Sequence, residues 1–158
     1  MLFGIGYDIH RLAKDRNLVL GGVEFDYPLG LLGHSDADVV IHALCDALLG
    51  AAALGDIGEH FPDTDAAWKG AAGKTLLLRV VKLLKERRCR VNNVDVVILV
   101  EKPRIGARKL EMKKNIAEWL GIDTSRVNIK ATTMEGVDAV GRCEAIAAQA
   151  IASLCEDV

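Results

Sequence analysis

The chain has 158 residues, with 20 basic and 22 acidic side chains and a formal net charge of −2. That balance excludes a nucleic-acid footprint and a polybasic membrane-surface patch. The length fits one domain, 1–158, with a real core, and excludes two ordinary ones. Hydrophobic residues make up 51%. A chain this small cannot hide all of them alone, which predicts a homo-oligomer with buried subunit faces.

In chain order, residues 2–10 read as a first strand, opening on "LFGIGYDIH". No charged leader and no apolar run long enough for a signal peptide or membrane span stands there, so the cytoplasm is the expected address. "NLVLGGVEF" (17–25) places two apolar runs around Gly21 and Gly22, a hairpin signal. "GLLGHSDAD" (30–38) is a polar loop ending in N-cap residues, Asp36 or Asp38. The apolar run that follows, to about Leu54, predicts a buried helix. Residues 55–73 have the composition of a long, partly mobile loop, more often functional than not in a compact domain.

"KTLLLRVVKLLKERR" (74–88) predicts an amphipathic helix, with Leu77, Val80, Val81 and Leu84 on one stripe. "RVNNVDVVILV" (90–100) predicts a strand continuous enough to be covered on both faces. A helix is expected from about Ala107 to Leu120 and a half-buried strand over 126–133, where Val127, Ile129 and Ala131 alternate with polar residues. The Ala-rich segment 142–155 predicts a last helix. The expected fold is α/β, an α+β sandwich: a mixed β-sheet with helices packed on one face. The four cysteines (Cys45, Cys89, Cys143, Cys155) form no C-x-x-C pair and sit in apolar stretches, so they are expected to be small core residues in a reducing compartment.

Asp8 and His10 are two apart, so on a strand they share a face, about 6.5–7 Å apart along the backbone. Alone, such a pair is compatible with a solvated strand end. The helix at 38–54 sharpens it, because its only charged or imidazole-bearing residues are Asp38, His42 and Asp46, spaced i, i+4 and i+8 on an otherwise apolar helix. A buried polar stripe needs partners, from a hydrogen-bonded core cluster or from a metal. Asp8, His10 and His42 form a two-His, one-carboxylate set, three protein ligands that leave a position open, as at catalytic zinc; manganese and iron(II) also accept it. Asp38 or Asp46 could orient His42. His34 and Ser35 precede the helix, where N–H groups favour an anion. "ATTMEG" (131–136) gathers Thr132, Thr133 and Glu135, suited to phosphate oxygens and a hard cation. "EKPRIG" (101–106) can present backbone groups and the Arg104 cation to a diphosphate.

"GIGYDIHRL", "LLGHSDADVVIHALCDALLGAAALGDIGEHFPDTD", "ATTMEG" and "GRCEAIAAQA" together resemble the 2-C-methyl-D-erythritol 2,4-cyclodiphosphate synthase family, and the likeness runs essentially end to end. The resemblance implies a homotrimer with active sites at subunit interfaces. It implies an intramolecular reaction on a CDP-linked methylerythritol 2-phosphate in the non-mevalonate route to isoprenoids, releasing CMP. By this likeness Asp8, His10 and His42 match zinc ligands. His34 and Thr133 match residues that stabilise the transition state, and Glu135 matches the ligand of a Mg²⁺ or Mn²⁺ on the diphosphate. Ser35, Asp56, Ile57, Gly58 and the segment Phe61, Pro62, Asp63, Thr64, Asp65 match the methylerythritol phosphate pocket. Val100, Glu101, Lys102, Pro103, Arg104, Ile105 and Gly106, with Thr132, Thr133 and Met134, match the cytidine diphosphate pocket.

The family departures are specific. A Gly-Phe pair usual before "GR" is replaced by Asp138 and Ala139 in "GVDAVGR", on the segment that lines a trimer-axis cavity in the family; Arg142 and Glu144 still match. Arg104 stands where Lys is usual, and Glu101 and Lys102 are uncommon at their positions. A zinc phosphohydrolase and a trimeric binding protein for isoprenoid phosphates are the competing expectations.

Overall fold

A computed structural model describes residues 1–62 and 64–156. Four strands come first: β1 (Leu2–Ala13), β2 (Leu18–Leu20), β3 (Val23–Phe25) and β4 (Gly30–Leu31). Helices α1 (Val39–Ala51), α2 (Ile57–His60) and α3 (Gly73–Glu86) precede β5 (Cys89–Leu99). Then α4 (Lys109–Leu120), β6 (Val127–Thr132), α5 (Asp138–Gly141) and β7 (Ala145–Glu156) complete the order. The main sheet runs β4-β1-β7-β5-β6, and β2-β3 form a separate pair. Only β5 and β6 are parallel among its pairings, so the sheet is mixed. The long helices α1, α3 and α4 cover its inner side, burying Leu44, Leu48, Leu77, Val80, Met112 and Ile116 against Val94, Val96 and Ile98.

The 17–25 hairpin expectation holds locally: Gly21 and Gly22 have φ of 57° and 71°, the left-handed pair that a two-residue turn of this type demands. The expected helix over 142–155 is wrong. The segment is β7, the strand between β1 and β5. Alanine favours helices in isolation. Here Ala148, Ala150 and Ala152 are fully buried on the inner face while Gln149 and Ile151 are exposed on the other. Small side chains were selected by a helix packed close on the sheet, and tertiary contact overrode the propensity.

β5 also corrects an expectation: within the chain one face is buried, and the alternate residues Asp95, Val97 and Leu99 stay half-exposed. The 55–73 stretch is less irregular than expected, carrying α2 and a 3₁₀ turn at Ala66–Trp68. Cys45 and Cys89 are buried as expected, whereas Cys143 and Cys155 are only partly so. Among the described residues no helix is long and apolar enough to cross a membrane.

Candidate active site

β1 sends alternate side chains to opposite faces. Asp8 and His10 point inward with Gly4 and Gly6; Phe3, Ile5, Tyr7 and Ile9 point outward and are exposed. The two glycines set the distance to α1. A Cβ on Gly6 would lie 1.9 Å from the Ala43 carbonyl oxygen, and one on Gly4 would lie 2.1 Å from that of Ala47. Helix backbone therefore rests on strand backbone, and His42 is brought against the Asp8–His10 pair.

Asp8 Oδ2 is 2.8 Å from His10 Nε2 and 3.0 Å from His42 Nδ1. The two ring nitrogens are 3.1 Å apart. These separations are close to the ligand edges of a tetrahedral zinc, about 3.3 Å for bonds of about 2.0 Å. The outer nitrogens explain the inward lone pairs. Leu32 O can only accept, so His10 Nδ1 carries the proton that it donates at 2.9 Å, leaving Nε2 as an acceptor. His42 Nε2 lies 3.0 Å from Ser35 Oγ, and donating to that hydroxyl leaves Nδ1 free toward Asp8. Three acceptors then face one point, and a cation satisfies all three. Among the described residues this is the group of acidic, thiol and imidazole side chains able to hold an ion. When the inward ring nitrogens carry protons instead, they donate to Asp8: burial opposes the Asp8 charge, but these hydrogen bonds and the histidine charges outweigh it and hold its carboxyl well below the usual range. Burial likewise opposes a charged His10, and contact with Asp8 reverses the balance, raising its pKa.

Neither helix aspartate orients His42; Ser35 does. Asp38 is fully buried as the N-cap of α1, accepting from Val40 N and Ile41 N. The same carboxylate accepts from Gly21 N at 2.9 Å and Gly22 N at 2.7 Å, clamping the hairpin turn to the helix start. Burial and nearby Asp36 push its pKa up to about 6. Asp46 accepts from Ile57 N at 2.7 Å and so pins the start of α2. Burial raises its carboxyl as well, against that hydrogen bond.

The donor set opens into a cavity of about 440 Å³ lined by His34, Ser35, Ile57, Gly58, Phe61, Pro62 and Thr64. His34 Nε2 is buried there without a hydrogen-bond partner among the described residues. Two more expected pocket residues stand behind it: Asp56 caps α2 through Glu59 N, and Asp65 caps the 3₁₀ turn through Ala67 N. Asp63 lies outside the described residues. Sequence reasoning missed Trp68 and Leu76 in this wall. Trp68 meets Phe61 edge-to-face, ring centroids 4.9 Å apart. A large aromatic inside a polar loop was the available signal.

A second cavity, about 690 Å³, gathers Val100, Glu101, Lys102, Pro103, Arg104, Ile105 and Gly106 with Thr132 and Thr133. Tyr27 and Lys109 complete it and were not foreseen. Beside it Met134 N donates to Glu101 Oε2 at 3.1 Å, and Thr133 Oγ1 donates to Glu135 Oε1 at 3.0 Å. Arg142 is engaged by Glu144 through two hydrogen bonds of 3.0 and 3.2 Å. Among the described residues none lines both cavities, and His34 and Thr133 stand in different ones.

A helix-backed mixed sheet with an Asp-His-His centre that leaves a position open toward a largely apolar cavity defines the class of catalytic metal-site proteins. The chain belongs to the YgbB family, whose profile matches residues 1–155. A relative named 2-C-methyl-D-erythritol 2,4-cyclodiphosphate synthase, from Desulfosudis oleivorans, is 56% identical over 157 residues, covering 99% of this chain and 94% of the relative. A solved 2C-methyl-D-erythritol-2,4-cyclodiphosphate synthase in a CDP-bound form superposes with a TM-score of 0.89 at 33% identity, covering 97% of this chain and 99% of that one. The bifunctional IspDF from Campylobacter jejuni gives a TM-score of 0.93 at 40% identity, covering 97% of this chain, which spans only 42% of that longer protein.

Proposed function

We propose that this chain is a metal-dependent 2-C-methyl-D-erythritol 2,4-cyclodiphosphate synthase. It converts the CDP-linked methylerythritol 2-phosphate to the cyclic diphosphate plus CMP, a phosphorus–oxygen lyase reaction in the non-mevalonate route to isoprenoids. The observation that carries the reading is the inward convergence of Asp8, His10 and His42 in the wall of a cavity that His34, with its unpartnered ring nitrogen, also lines. A divalent cation held by those three side chains, zinc suiting the nitrogen-rich donor set best, supplies positive charge for phosphate oxygens.

The chain's own groups do the rest. A phosphate monoester has a second pKa of about 6, so the attacking oxygen is anionic near neutrality and needs no general base. The 2-phosphate oxygen bonds to the β-phosphorus, and the bond from that phosphorus to the bridging oxygen breaks, the oxygen leaving with CMP. Catalysis is then positioning plus charge neutralisation. His34 Nε2–H and the Thr133 hydroxyl donate to the reacting diphosphate. Ser35, Asp56, Ile57, Gly58 and the 61–65 segment hold the methylerythritol phosphate end. The 100–106 segment with Thr132, Met134 and Thr133 holds the cytidine end, and Glu135 would hold a Mg²⁺ or Mn²⁺ that neutralises charge on the substrate diphosphate.

The reading includes a homotrimer, in which the second cavity of one copy faces the first of its neighbour. It is supported by the separateness of the two cavities in one chain and by the exposed apolar row on β1: Phe3 is 68%, Ile5 62% and Tyr7 53% accessible. Phosphorus NMR of the protein with the CDP-linked substrate tests the activity. Cyclic diphosphate and CMP are expected from the native chain and neither from His42→Ala; an uncyclised phosphate product identifies a hydrolase instead.

A further inference from the structure

We infer that Arg16, outside both cavities, is a positioning residue that holds the metal-ligand shell in shape through the strap at 31–35. The strap connects β4 to the approach of α1, and each of its five carbonyls has a partner. The odd ones converge on one guanidinium: Arg16 Nε donates to Leu31 O at 3.3 Å, and Nη2 donates to Gly33 O at 2.9 Å and Ser35 O at 3.4 Å. The even ones have other partners. Leu32 O accepts from His10 Nδ1 at 2.9 Å, and His34 O accepts from Gly70 N at 2.9 Å. The strap also carries the Ser35 hydroxyl that meets His42 Nε2, and the His34 ring.

One side chain thus fixes the register of a five-residue segment whose other edge sets the orientation of two proposed ligands. The geometry suits arginine in particular, because a planar fork can serve several carbonyls at once and an ammonium cannot copy it. Arg16 is itself placed by the backbone. Asp15 has a φ of 60°, turning the chain sharply before it. A Cβ on Gly30 would lie 2.3 Å from the Arg16 carbonyl oxygen, so the bare glycine lets the 16–17 backbone lie directly on β4. Arg16 is half-buried, which limits competition from water for these bonds.

The consequence for ligands rests on the metal reading above, so the test has one arm that needs no metal. In metal-free protein, amide exchange is measured at Leu32, Asp36 and Gly70, which donate to Arg11 O, Ala71 O and His34 O. Arg16→Ala should speed exchange at these sites at least tenfold while the β5 and β7 core amides keep their protection. Zinc affinity, read by chelator competition, should fall by about tenfold, the low end for loss of support behind a metal ligand. Arg16→Lys should fall between Ala and wild type in both readouts. Unchanged strap exchange, or unchanged zinc affinity in Arg16→Ala, overturns the inference. Equal loss of protection in strap and core overturns it too, assigning Arg16 to general stability. Should the wild-type chain itself fail to bind zinc, the zinc assignment in the proposed function falls, while strap exchange still decides whether Arg16 holds the segment.

Discussion

The two faces of β1 obey opposite rules although they interleave residue by residue. Inward, Gly4, Gly6, Asp8 and His10 are small or polar, matched by Ala152, Ala150 and Ala148 across on β7 and by the backbone of α1. Outward, Phe3, Ile5, Tyr7 and Ile9 are large, apolar and exposed. A single face of this kind would be unremarkable on a surface strand; the pair is informative. The inner face is complete in one chain: its close packing leaves no freedom in where His42 meets Asp8 and His10. The outer face has the chemistry of an interior, and none of the described residues covers it. The difference separates what a single chain builds, the Asp8–His10–His42 set, from what the proposed trimer would add, a cover for the outer row and a neighbour for each cavity.

Breaking the inner face carries the largest expected effect. Gly6→Ala puts a methyl group into the Ala43 carbonyl. Forcing α1 off the sheet should cost about 3 kcal/mol or more, beyond ordinary overpacking because the obstacle is backbone. Denaturant unfolding should show that loss, with metal content falling in step. Stability within about 0.5 kcal/mol of wild type, the range of a neutral surface change, would mean that the glycine does not set the approach.

Breaking the outer face should leave folding intact and abolish assembly. Ile5→Asp puts a charge in the exposed apolar row, where a subunit contact would have to bury it unpaired. Sedimentation should show a folded monomer that still binds zinc but turns over less than a hundredth as fast. A trimer that persists with full activity would place the subunit contact elsewhere.

The smallest effect concerns the start of α1, the helix on which the inner face packs. Burial raises the Asp38 carboxyl to about 6 from a reference of 3.8, so folding takes up a proton between those values. Its contribution to stability is therefore fullest below the unfolded value and is lost as pH rises through about 6. Against Asp38→Asn, which does not titrate, the wild-type advantage should shrink from pH 4 to 6.5 and stay level above. An advantage that grows with pH would mean that the four backbone N–H donors stabilise the charge more than burial penalises it.

Much of the inner site was legible because period and composition disagreed in an interpretable way. Three polar side chains at i, i+4 and i+8 on an otherwise apolar helix needed partners, and a same-face Asp-x-His pair offered them. Their division of labour was not legible. Asp38, His42 and Asp46 look equivalent in the stripe, yet one caps a helix and holds a turn, one joins the ligand set, and one pins α2. The turn at Gly21–Gly22, the strap at 31–35 and the amide of Ile57 decide this, and all are remote in sequence. Arg16 was silent for the same reason: its partners are backbone carbonyls, which every sequence possesses.

Sequence by itself determined the order of most elements, the Asp8–His10–His42 set and, through the family likeness running end to end, the kind of chemistry expected, because periodicity and donor type are local properties. Only the tertiary structure decided that 145–156 is a strand, that Ser35 rather than a helix aspartate orients His42, and that the two cavities are lined by different residues. Those outcomes depend on how closely α1 lies on the sheet, and that distance is a property of packed backbones that no single residue carries.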